Sequence, residues 1–456
     1  MSQAVSTQNR MMKLAWPAII ENLSATMVIL VDTAMVGSLG AQATASVAVN
    51  ASPTWLLGAM VISLGVGATA LVARMSGAGD RLGMHRIALH TLIAGLVLSL
   101  GIIALILIGA PWVPILMGAD PAIHQDAAAY MRIVGLGALP NYMGSVSSAL
   151  LRGSGDTRSP MRASLLAQLV NVTGNFLLIF PTRPLHVLGV GFTMPGAGLG
   201  VRGAAIATAF SYVVSGTYLL YLVFSTKGTL QLRVPTGFRP EGAQFRRIVR
   251  IAVPTALERM SISMGQIVFA GMVARLGTHA LAAHHLSIQV ESLGYMPGYG
   301  FAVAAATLVG QSLGAGQPAE ARSLGLRAVR TGVMVMSSVG LIMFVFAGQL
   351  ISLFTPDPTV RMIGTTLIRI CAFEQPFSAL SIIVPGALRG AGDTAAPFYI
   401  ALFSMWCIRI VLAWLLGSVL GLGVQGIWVA MVLDLAVRGM LLLRRFLSNK
   451  WQHVRV

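Results

Sequence analysis

Acidic residues inside long apolar runs are the positions in this 456-residue chain best suited to do chemistry. Burying charge in lipid is costly, and such residues mark ion and substrate routes. Six of the 14 acids fall in such runs: Glu21, Asp32, Glu258, Glu291, Glu374 and Asp434. Asp32 lies deep in the first run. Eleven residues separate it from Glu21, and at 100° per residue that returns to within about 20° of the same helix face. Both can therefore point into one cavity. A carboxyl held there can bind and release a proton, which makes Asp32 and Glu21 candidates for ion coupling; the plainer alternative is a hydrogen bond to a neighbouring helix.

Asn171 and Asn175 stand one helical turn apart, where their amides can bond Asp32, a substrate or simply another helix. Glu258, Glu291 and Glu374, with Asn141, form a second group, read as contacts for substrate or a second cation. His284 and His285 precede Glu291, but adjacent histidines point about 100° apart on a helix and make no metal pair by themselves. No metal site is expected. Asp434 is placed to form a structural ion pair with Arg438 or Arg409. There is no Walker A pattern, serine-nucleophile motif or zinc-protease motif, so neither ATP hydrolysis nor enzymatic chemistry is indicated.

Composition shows what must hold these residues. Apolar residues make up 56% of the chain, charged residues 10%, and mean hydropathy is +0.79. A span needs roughly 20 apolar residues, and runs such as 33–73, 87–116 and 331–354 are long enough and lack Asp, Glu, Lys and Arg. The net charge of +17 reflects topology rather than nucleic acid. Of 31 Lys and Arg, 22 fall on one side of the expected spans and six on the other. By the positive-inside rule the first side is cytoplasmic, with both termini inside and an even number of spans. Cys371 and Cys407 lie in apolar runs and are expected to be free thiols.

A shift of 237 residues aligns the two halves. Pro17 falls on Pro254, Glu21 on Glu258, and Gly77-Ala-Gly79 on Gly314-Ala-Gly316. Leu151-Arg-Gly-Ser-Gly-Asp-Thr157 meets Leu388-Arg-Gly-Ala-Gly-Asp-Thr394. Later segments match at an offset of 223, leaving about 14 extra residues near 181–196, read as a longer outer loop. Expected spans are 14–38, 45–73, 86–109, 126–151, 162–181 and 200–224, then 246–275, 281–311, 324–348, 359–388, 396–418 and 423–447. This is an all-α membrane protein of twelve transmembrane helices in two six-helix lobes, 1–224 and 246–456, joined by a cytoplasmic linker at 225–245. Parallel repeats of this kind are related by a pseudo-two-fold axis along the membrane normal, with the substrate route between them. The scaffold is symmetric but the acids are not: Asp32 falls on Phe269, Glu291 on Thr54 and Glu374 on Gly137.

These segments resemble the multidrug and toxic compound extrusion (MATE) family over nearly the whole chain. The carrying residues are Leu30-Val-Asp-Thr-Ala-Met-Val-Gly37, the paired Leu-Arg-Gly-X-Gly-Asp-Thr turns, Leu281-Ala-Ala-His-His285, Val290–Pro297 and Leu308–Gly316. The resemblance implies secondary antiport in the bacterial inner membrane, with small cationic or amphipathic compounds leaving as protons or sodium enter, by a monomer without a cofactor. It implies that Asp32 binds the coupling proton. In the damage-inducible branch an Asn and an Asp one turn apart complete the site; Asn171 matches the first and Asn175 replaces the second. Sodium-coupled members carry acids where this chain has Ile262 and Ser378, and Glu258 and Glu374 each lie one turn earlier. Protons are therefore favoured over sodium. The rival reading is a lipid-precursor flippase of the same superfamily, which would need a large basic cavity.

Overall fold

The computed structural model describes residues 2–187, 190–226, 228–234 and 238–454. Among them are twelve long helices. The first lobe holds α1 (Ser2–Gly37), α2 (Ala41–Gly77, interrupted at Val49-Asn50), α3 (Arg81–Gly109), α4 (His124–Gly153), α5 (Arg158–Leu178) and α6 (Gly200–Phe224). The second holds α7 (Gly242–Ala274), α8 (Thr278–Gly314), α9 (Pro318–Val345), α10 (Pro358–Gly390), α11 (Ala395–Val419) and α12 (Gly423–Leu447). Eight of these are long and apolar enough to cross a membrane on composition alone. The remaining four, α4, α5, α7 and α8, fall below that level because they carry polar side chains among their apolar ones, Asn171, Glu258, Arg259 and Glu291 included.

The repeated turns are built alike. After α4, the Asp156 amide donates to the Leu151 carbonyl at 2.8 Å and Gly155 takes φ +95°; after α10, the Asp393 amide donates to Leu388 at 2.9 Å and Gly392 takes φ +88°. A left-handed glycine closes a helix in this way without the strain a Cβ would bring. Asp156 then accepts from the Ser159 amide at 2.9 Å, opening α5.

The outer segment read as a plain loop is instead an antiparallel hairpin, β1 (Pro181–Val187) with β2 (Val190–Ala197), Pro184 facing Thr193. Its Pro and Gly residues mark where the chain turns, but they do not distinguish an open loop from a two-stranded one.

Packing between the lobes is concentrated on the side that carries both termini and most of the arginines, hereafter the basic side. Met11, Leu14 and Ala15 at the start of α1 are buried in the core of the second lobe, with Phe301 and Leu308. Their counterparts at the start of α7, Ile248, Ile251 and Ala252, are buried in the core of the first. Each lobe thus lends the beginning of its first helix to the other. Backbones meet where α2 and α8 end: a Cβ built on Gly77 would lie 1.9 Å from the Gln311 carbonyl oxygen, and one on Gly314 would lie 1.9 Å from that of Arg74. Thr307 donates to the Arg152 carbonyl at 3.0 Å, Gln311 to that of Gly153 at 3.4 Å, and Arg74 to that of Val454 at 3.2 Å. At the opposite ends of α1 and α7 the packing is open: a Cβ on Gly37, Gly40, Gly271 or Gly277 would meet nothing within 4 Å. The lobes are closed on the basic side, and the far-side ends of α1 and α7 make no such contact at these glycines.

Candidate functional site

In the first lobe, the outer half of α1 packs within its own lobe, Met35 and Val36 against Ile179 and Ala204. That brings Asp32 to α5. The Asn175 amide donates to Asp32 Oδ1 at 2.5 Å and to Asn171 Oδ1 at 3.2 Å, and Asn171 donates to Thr208 Oγ1 of α6 at 3.3 Å. The Tyr130 hydroxyl lies beside Thr208, and Tyr212 stands near Asp32. Four helices therefore converge on one carboxylate through a chain of amides and hydroxyls. Asn175 Oδ1 is buried and has no donor among the described residues, so the chain holds an unused acceptor beside Asp32. Sequence reasoning missed Thr208, Tyr130 and Tyr212, because single hydroxyls on apolar helices carry no pattern. Asn141, next to Pro140 in α4, is half-buried and outside this chain.

Glu21 does not join Asp32. It pairs with Arg152 at the end of α4. The second lobe repeats this pair: Glu258 accepts from Arg389 Nη2 through both oxygens, at 2.7 and 2.8 Å. Glu21 and Glu258, like Arg152 and Arg389, are related by the 237-residue shift. The sequence held the signal, an acid and a base each retained at the same offset.

Glu258 is thereby tied to Arg389, and of the three second-lobe glutamates only two come together. Glu291 of α8 and Glu374 of α10, with Cys371, place their ligand atoms within 4.8 Å of one another. Glu374 is fully buried, and neither of its oxygens has a donor among the described residues. Two carboxyl groups in contact must hold a shared proton or a cation between them. The Cys371–Glu–Glu set offers one soft and two hard ligands, which favours no particular metal. Cys371 and Cys407 are both free thiols.

Beside this pair lies a buried charge cluster. Asp434, fully buried, accepts from Arg409 Nε at 2.8 Å, from Arg438 Nη2 at 2.9 Å and from the Ser404 hydroxyl. It takes both arginines rather than one. Arg409 sits in a stretch of α11, Ser404–Arg409, that widens into i→i+5 turns, a local departure common at functional positions. Its guanidinium lies 5.7 Å over the ring of Phe269. Phe269 is the counterpart of Asp32, so an acid in one lobe answers to an arene facing a cation in the other. His284 accepts from Trp428 Nε1 at 3.1 Å and is a structural histidine.

The fold and these polar clusters define a multi-pass membrane transporter rather than an enzyme. The MatE family profile matches residues 17–177 and 254–415, one block in each lobe, and the chain belongs to that family. It is 32% identical to a probable multidrug resistance protein NorM of Thermotoga maritima, across 98% of this chain and 93% of the relative. It is 28% identical to the multidrug resistance protein MdtK of Edwardsiella ictaluri, across 93% and 92%. Among solved structures, a MATE protein in complex with MaD3S superposes with a TM-score of 0.89 at 23% identity, covering 97% of both chains. A multidrug resistance MATE transporter of the MOP superfamily in an outward-facing conformation gives the same values.

Proposed function

We propose that this protein is a secondary antiporter of the bacterial inner membrane that exports amphipathic, chiefly cationic compounds in exchange for protons. Residues 1–224 and 246–456 are its lobes, 225–245 its linker, and the basic side is cytoplasmic, so the closure described above faces inward. Relatives named for multidrug resistance support the substrate class. The observation that carries the coupling is the Asp32 network: one half-buried carboxylate, no equivalent in the other lobe, and a hydrogen-bond chain spanning α1, α5 and α6.

In the ionised state Asp32 accepts from Asn175. A proton turns that oxygen into a donor, and half a turn of the Asn175 amide presents the unused Oδ1 to it. The Asn175 nitrogen then leaves Asp32, α1 shifts against α5, and the cavity changes shape so that substrate leaves. Asn171 and Asn175 relay the change, while Glu21 positions α1 through Arg152. The Glu291–Glu374 pair is a second cation site, holding a proton or sodium, with Glu258 and Asn141 framing the second-lobe and first-lobe walls. The Asn171–Asn175 pair supports a coupling site similar to that of the damage-inducible branch, with Asn175 standing where that branch carries an Asp. The test is efflux of a cationic dye from proteoliposomes under a proton gradient and a sodium gradient imposed separately. The reading requires efflux under the first; efflux under sodium alone would overturn it.

A further inference from the structure

Arg259 of α7 is left over by every network described so far. It makes no hydrogen bond or ion pair among the described residues, and its Nε is buried without a partner. Its neighbours are Glu258, Arg389 and Tyr299. Glu258 carries a single charge and already pairs with Arg389 through both oxygens, so the two arginines together exceed it by one. The group formed by Glu258, Arg389 and Arg259 therefore carries one surplus positive charge. The equivalent group in the first lobe does not: Glu21 and Arg152 pair, and the counterpart of Arg259 is the neutral Asn22, whose amide donates to the Ala18 carbonyl at 2.7 Å.

The position of this charge matters. Gly300 is the point where α8 closes against α1, since a Cβ there would lie 2.3 Å from Ile19 Cγ1 and 2.9 Å from the Ala15 carbonyl. Tyr299, one residue before it, is 40% exposed. Arg259 and Tyr299 thus stand next to this closure, Tyr299 one residue to its far side. Only the Nε of Arg259 is shielded; its terminal nitrogens are not among the buried unpartnered atoms. An unpaired guanidinium inside a membrane protein is retained at a cost unless an anion meets it. Its planar fork fits a carboxylate with two parallel hydrogen bonds.

We infer that Arg259 and the Tyr299 hydroxyl form an oxyanion subsite beside this closure, which takes the carboxylate of zwitterionic amphipathic substrates. The inference rests on the export reading above and narrows its substrate class. Substrates need not be purely cationic: the positive end faces the acids of the walls, and a carboxylate, where present, points to Arg259.

The experiment uses two rhodamine dyes with the same body, one bearing a free carboxylate and one its ethyl ester, with binding read by fluorescence anisotropy on the purified full-length protein in nanodiscs. Arg259→Gln should weaken the carboxylate dye at least about 10-fold, the scale of one hydrogen bond to a charged group, and leave the ester within about 2-fold. Arg259→Lys should recover part of the loss. Equal weakening of both dyes, or none for the carboxylate, overturns the subsite while leaving the export reading intact. A wild type that binds the carboxylate dye no better than the Gln variant does also overturns it. Failure of the wild type to expel the ester dye from proteoliposomes counts against the export reading itself.

Discussion

Gly77 and Gly314 are the points at which the lobes touch backbone to backbone on the basic side, and alanine at either should drive them apart. Neither glycine has a positive φ, so alanine brings no backbone strain of its own. The new Cβ would sit 1.9 Å from a carbonyl oxygen on the opposite lobe, against 3.4 Å for ordinary contact, so the helices must separate by about 1.5 Å. Overpacking of this kind costs roughly 1–3 kcal/mol. The gain in helix propensity does not offset it, because α2 and α8 are helical whether the lobes are closed or open there. The penalty falls on the closed arrangement alone and shifts the population toward opening on the basic side by roughly 5- to 150-fold per site. Gly101→Ala is the control, since a Cβ there meets nothing within 4 Å. Spin labels at Leu82 and Gln317, in a background lacking Cys371 and Cys407, report the separation by pulsed electron resonance. Gly77→Ala and Gly314→Ala should each add a longer-distance component, and Gly101→Ala none. Unchanged distributions in both variants would refute the argument that this contact is the closure.

The charge clusters give further outcomes. Glu258→Gln leaves Arg389 beside Arg259 with nothing to neutralise either, and should cost about 3–5 kcal/mol; Glu258→Gln with Arg389→Gln should recover most of it, checked by thermal unfolding in detergent. Asp434→Asn exposes Arg409 and Arg438 to each other and should be at least as harmful, reducing the folded yield, while Asp434→Asn with Arg438→Met should partly restore it. Asp357, at the far-side start of α10, accepts from the Thr359 and Val360 amides at 2.8 and 3.1 Å, which holds its carboxyl below the ordinary value of 3.8. Its contribution to stability is therefore complete above that value and fades as pH falls below it. The Asp357→Asn variant should lose less unfolding temperature than wild type between pH 5 and pH 3, on differential scanning fluorimetry.

Much of the fold was legible in the residues because the signals were redundant. Apolar runs set the spans, arginines set the two sides, and the repeated Leu-Arg-Gly-X-Gly-Asp-Thr turns fixed the offset that relates the lobes. The one-turn spacing of Asn171 and Asn175 marked a polar helix face but left its partner open among Asp32, a substrate and another helix; the contact to Asp32 is set by how α1 packs on α5. The paired Glu21–Arg152 and Glu258–Arg389 bridges were present in the same alignment but needed acid and base to be read together. Other features left no trace in pattern. The hydroxyls of Tyr130, Thr208 and Tyr212 resemble any others on apolar helices, and the widened turns that aim Arg409 at Asp434 depend on packing between α11 and α12. The hairpin at 181–197 is set by pairing between strands, which composition alone does not fix.

The measurement that bears most directly on the coupling scheme is proton movement by Asp32→Asn beside wild type. Asn keeps the size of the side chain and can still hydrogen-bond Asn175, but it cannot take up a proton. Both proteins are reconstituted with a pH-sensitive dye inside the vesicles and given a pulse of cationic substrate. Wild type should move protons against substrate in fixed ratio. Asp32→Asn should bind the substrate and remain folded yet move no protons above the protein-free background. Undiminished proton exchange by Asp32→Asn would contradict the assignment of Asp32 as the coupling residue.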